Sequence, residues 1–157
     1  MTYTWLKFFH VVAVLALLGT HGVSMTVLYA IRKERDRGKI LALVQVSGQA
    51  IVPMYISILA IVVFGVLLAF KLHLWGKTWL WISIALLVAT IGLMYATAKP
   101  YFARVKEACQ MRPSGVPRIS DEELGEVLGS ARAHLITAIG VIGLLAIVYL
   151  MIFKPRF

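Results

Sequence analysis

Four long apolar runs, separated by segments that hold nearly all the charge, organise this chain. Stretches without Asp, Glu, Lys or Arg cover Phe8 to Ile31, Ile40 to Phe70, Thr78 to Ala98 and Ala133 to Phe153. Crossing the hydrocarbon core of a bilayer takes about 20 consecutive apolar residues in a helix. Each run meets that length. The pattern predicts an all-α integral membrane fold, a single domain over 1–157 with four transmembrane helices in an antiparallel up-down bundle. The spans are placed at about 8–31, 50–70, 78–98 and 133–153. The first run has no basic n-region of the usual kind and no clear small-x-small cleavage site, so it is read as a retained helix rather than a signal peptide.

The second run is too long for one untilted crossing. Its first part, ILALVQVSGQ at 40–49, carries Gln45, Ser47, Gly48 and Gln49. That part is expected along the membrane interface, with the crossing beginning near Pro53, since proline is tolerated in a first helical turn. The short link KLHLWGK at 71–77 predicts that spans two and three form a tight antiparallel hairpin. In the long segment 99–132, Pro113, Gly115 and Pro117 interrupt any helix. ISDEELGEVL then restarts one. Ser120 and Glu123 have capping-box spacing, and Asp121 and Glu122 suit the positive end of a helix dipole. Leu124, Val127 and Leu128 form an apolar stripe, read as resting on lipid headgroups, with a docking surface as the alternative.

Charge sets the orientation. The chain carries 16 Lys plus Arg against 7 Asp plus Glu, is 61% hydrophobic, and has a net charge of +9. Its mean hydropathy is +0.87. The basic residues lie between apolar runs, so the membrane surface explains them better than nucleic acid does. Arg32, Lys33, Arg35, Arg37 and Lys39 follow span one. Lys99, Arg104, Lys106, Arg112, Arg118 and Arg132 follow span three. Only Lys7, Lys71, Lys77, Lys154 and Arg156 fall on the other side. The positive-inside rule therefore places loops 32–49 and 99–132 in the cytoplasm and both termini outside, in the cytoplasmic (inner) membrane. Trp5, Trp75, Trp79 and Trp81 map to the outer rim as an aromatic belt, and Tyr101 and Phe102 to the inner rim.

Candidate chemistry centres on histidine. His10 and His21 are eleven residues apart in LKFFHVVAVLALLGTHGVSM. At 100° per residue they face the same way, about 16 Å apart along the axis. Thr20 and Ser24 extend a polar stripe, and Gly19 and Gly22 are expected to admit a neighbouring helix. Intramembrane histidines either hydrogen-bond to a neighbouring helix or hold a cofactor such as haem. His73 is the other candidate haem ligand near the outer rim. His134 starts span four at the inner rim, and Met25, Met54 and Met94 are alternative soft ligands without a spacing signature. No span contains Asp or Glu, which argues against a proton pump or a charged ion pathway. Cys109 is the one cysteine, read as an ordinary loop thiol near Lys106 and Arg112. No hydrolase, P-loop, zinc-protease or dinucleotide motif is present.

The opening LKFFHV, with Leu6, Lys7 and His10, resembles that of an uncharacterised bacterial integral membrane family, domain of unknown function 2269. Trp79-Leu80-Trp81 at the start of the third span, and Lys99-Pro100 with Arg104 at its end, resemble that family as well. The opening is also similar to those of the copper-resistance D-type membrane proteins and the haem-dependent membrane protoporphyrinogen oxidase. The last resemblance implies a haem-binding role for His10 alone.

Three functions fit these residues. The first is a non-catalytic accessory or scaffold subunit of a larger membrane complex, with membrane lipid and either protein partners or further copies of itself around it. The second is a b-type haem protein using His10, with His73 or His21. The third is an oligomeric transporter of a small solute or metal. The residues leave enzyme activity undecided, leaning against it.

Overall fold

The structure is a computed structural model that describes residues 2–155; Arg156, placed above on the outer side, lies outside them. Six α-helices follow one another: α1 (Thr2–Lys33), α2 (Arg37–Gln49), α3 (Ile51–Lys71), α4 (Thr78–Ala108), α5 (Asp121–Gly129) and α6 (Arg132–Phe153). A short 3-10 turn, Leu74–Gly76, joins α3 to α4. Four helical stretches are long and apolar enough to cross a membrane: α1, α2 with α3, α4, and α5 with α6.

The spanning helices pack as two pairs, α1 against α3 and α4 against α6. The chain alternates direction, so each pair is antiparallel. The expected tight hairpin of spans two and three is not formed. Among the described residues α3 and α4 make no close backbone approach, although the link between them is short. The link itself bends through His73, whose φ of 52° is left-handed. His73 directly follows the C-cap Leu72, the position at which a left-handed residue commonly ends a helix.

The apolar core lies mostly at one end, here called the cap. Leu28 and Ile31 of α1, Ile40 of α2, Val105 of α4 and Leu124 and Leu128 of α5 are all buried there. The α5 stripe, expected on lipid headgroups, instead turns inward, with Leu124 and Leu128 buried and Val127 partly buried against them. It closes the chain's own core. The helix begins with the expected capping box: Ser120 Oγ accepts from the Glu123 N–H at 3.1 Å, and the Glu123 carboxylate accepts from the Ser120 N–H at 3.1 Å. It ends at Ser130, where extended backbone separates it from α6. Helix α4 runs through Pro100 to Ala108, beyond the end expected at Ala98. Tyr101, Val105 and Ala108 are buried against the cap, and this burial sustains the extra turns despite the N–H that proline removes. Tyr101 is thus a core residue, 1% exposed, and not a rim aromatic.

Two arginines staple the cap. The Arg37 guanidinium donates to the carbonyls of Ala108 and Ile119 and to Asp121 Oδ1, the last at 2.7 Å. It joins the end of α4 to the start of α5. Arg32 donates to the Ser130 carbonyl at 2.7 Å and to that of Gly129 at 3.2 Å, capping the end of α5. A planar fork with five donors suits such carbonyl clusters.

The opposite end holds a smaller cluster of Ala69, Trp79 and Leu80. Trp75 packs on Phe70 at 5.1 Å between ring centroids, and the Trp81 indole N–H donates to the Trp75 carbonyl at 2.9 Å. Trp79 is buried, while Trp5 and Trp81 are exposed.

Candidate functional site

His10 and His21 both turn inward from α1 but meet different helices. His10 Nδ1 lies 3.1 Å from the Ile61 carbonyl of α3. A carbonyl only accepts, so Nδ1 carries the proton and Nε2 keeps its lone pair. The ring rests over Gly65, where an added Cβ would come within 3.2 Å of the imidazole. Stacking of Phe9 on Phe64, with 5.4 Å between centroids, closes the same crossing. His21 instead presses on Gly140 of α6, so that a Cβ at Gly140 would overlap its ring. Its Nε2 is buried and has no hydrogen-bond partner.

A third crossing repeats the device, with Thr90 of α4 set in the notch of Gly143 on α6. Polar side chains thus meet glycines at three helix contacts. A missing Cβ lets helices approach closely, which is how packing is gained where lipid is as apolar as the side chains. Gly19 and Gly22, expected to serve this role, have open space where a Cβ would stand. Sequence reading placed the glycines on the helix carrying the histidines. The notches are Gly65, Gly140 and Gly143 on the helices opposite. A glycine within a run of bulky residues was the available signal, but the run does not name the side chain it receives.

The structure does not bring the three candidate haem ligands together. His10 and His21 keep their separation of about 16 Å along α1. His73 is exposed on the far turn. His134 is exposed at the cap end, 3.3 Å from the Tyr29 hydroxyl. Among the described residues no group of three or more His, Cys, Asp and Glu side chains is placed to hold a metal ion. Thr20 bonds back to carbonyls of its own helix, while Ser24 Oγ accepts from Ser47 Oγ of α2 at 3.2 Å.

Between the two helix pairs runs a cleft of about 770 Å3. Leu17, Met54, Ile58, Leu87 and Leu144 give it an apolar wall, and His21 and Gly140 form part of its lining. Met25 and Met94 face it too. Toward the cap it reaches Lys99 and Lys106, the charged side chains of its lining. A second cleft, about 560 Å3, lies on the cap between α4 and α5, where Arg104, Arg112 and Arg118 face Glu107, Glu123 and Glu126.

Cys109 is buried under the cap, 2% exposed. Burial pushes its thiol above the usual range, against the weaker pull of the Arg37 charge. That is the setting of an inert structural cysteine, since the thiolate is the reactive form. The chain matches no protein-family model, no curated protein and no solved structure.

Proposed function

We propose that this chain is a small multi-pass protein of the cytoplasmic membrane, with both termini outside, acting as a non-catalytic accessory or scaffold subunit of a larger membrane complex. One observation carries the reading: both histidines of α1 and Thr90 of α4 are taken up in contacts between helices. His10 holds α3, His21 seats on α6, and Thr90 locks α4 to α6. The outward faces remain broad and apolar, with Ile56, Leu59, Val88, Ile142 and Leu145 all more than 60% exposed. Such faces suit lipid and the flanks of partner helices. The test is native electrophoresis after mild-detergent extraction at natural expression levels. Co-migration with a partner at fixed stoichiometry is expected, and a lone 17.4 kDa chain would overturn the subunit reading.

A second reading is a b-type haem protein on His10 alone, in line with the resemblance of the LKFFHV opening. It is favoured by the His10 tautomer. A ligating histidine commonly donates its other ring N–H to a backbone carbonyl, as His10 does to Ile61. Against it, the His10 ring is closed on α3 and lines neither cleft. The visible spectrum of native membranes, oxidised and then dithionite-reduced, separates the readings. A Soret band lost in His10→Ala supports haem, and a featureless spectrum refutes it.

A further inference from the structure

We propose that the cleft between the two helix pairs binds one anionic lipid, with its headgroup at Lys99 and Lys106 and an acyl chain between the pairs. Its size falls within the range of sites that hold a single small ligand, about 300–1,000 Å3. The shape follows from the packing. Helix α1 reaches α6 at the His21–Gly140 contact, while α3 and α4 stay apart, which leaves the gap between the pairs open on the α3–α4 side.

Charge decides the occupant. Lys99 and Lys106 are seven residues apart on α4, two turns along one face. Both are exposed, both line the cleft, and no acidic side chain does. Lys99 Nζ donates to the Tyr95 hydroxyl at 2.6 Å and lies 4.7 Å from that ring's centroid. This holds the ammonium beside the cleft. Among the described residues the ion pair is Arg37 with Asp121, so both lysines lack a carboxylate. Two unpaired ammonium groups at the mouth of an apolar slot match a lipid phosphate joined to a hydrocarbon tail. A zwitterionic headgroup would bring its own cation to the same place, and a soluble phosphate would leave the apolar wall uncovered. The inference rests on the membrane location proposed above but not on the subunit role, because it is measured on the purified chain alone.

The test is lipid binding to delipidated full-length protein in detergent, with short-chain phosphatidylglycerol, short-chain phosphatidylcholine and glycerol phosphate as probes. Phosphatidylglycerol is expected to bind best. Lys99→Gln and Lys106→Gln should each weaken it about five-fold, and the double variant about thirty-fold, while phosphatidylcholine binding stays level. Equal binding of the two lipids to the wild type would overturn the proposal. So would glycerol phosphate binding as tightly as the lipid, which would indicate a free-phosphate site. A second measurement needs no variant. Phosphatidylglycerol with a photoreactive acyl chain should label wild-type segments lining the cleft, around Leu87–Met94 and Gly140–Leu144. Labelling spread evenly over the outward faces would sink the idea.

Discussion

The cap and the spanning middle are built from the same helices by different means. In the cap, parts of five helices bury Leu28, Ile31, Ile40, Val105, Leu124 and Leu128, and two arginines cover the helix ends. In the middle, the pairs meet through glycine notches and leave a cleft. On the membrane placement proposed above, the difference follows from the solvent. Where the cap reaches beyond the span ends, at Ile40, Val105, Leu124 and Leu128, water drives apolar side chains together. Lipid supplies no such drive between helices, so close packing and hydrogen bonds carry the association. The same contrast separates the two histidines. His10 has both a notch and a carbonyl, and His21 has only the notch.

The largest effect should come from opening the cap. Leu128 is fully buried, and Leu128→Ala is expected to lower stability by about 2–5 kcal/mol in reversible unfolding in detergent. A loss below ~1 kcal/mol would mean that α5 is an appendage rather than a lid. Arg37→Met comes next, at about 1.5–3 kcal/mol, since charge-assisted bonds to two carbonyls and Asp121 disappear. The same variant should speed maleimide labelling of Cys109, which burial protects in the wild type. Arg37→Lys should rescue little, because an ammonium lacks the fork that spans these acceptors.

The middle should respond more mildly and more locally. Gly140→Leu drives a side chain into the His21 ring and should lower stability by about 1–3 kcal/mol. Adding His21→Ala should recover most of that loss; a double-mutant cycle showing no coupling would remove the notch from the account. The smallest effect distinguishes the histidines. His10→Met should lose about 0.6–1.7 kcal/mol with its bond to Ile61. His21→Met should be neutral or slightly stabilising, because a flexible thioether fills the notch and no buried nitrogen is left unpaired. Equal losses at the two positions would show that His21 has a partner.

Much of the fold was legible from residue order. Ser120 and Glu123 announced their capping box, and the overlong second apolar run divides into two helices, α2 ending at Gln49 and α3 starting at Ile51. The site was less legible. The spacing of His10 and His21 put them on one face of α1, but it could not say that one would meet Gly65 and the other Gly140. Lys99 and Lys106 read as ordinary basic residues of a loop until α4 continued past Pro100 and carried both along the cleft.

Hydropathy and charge in the sequence determined that the chain forms four apolar helices long enough to span a membrane, because span length and the exclusion of charge are local properties. Only the tertiary structure decided which helices pair, that the α5 stripe closes the cap, and that the two histidines part company. Those outcomes depend on which surfaces fit together, and a side chain's partner across a helix contact lies far away in sequence: 51 residues for His10 and Ile61.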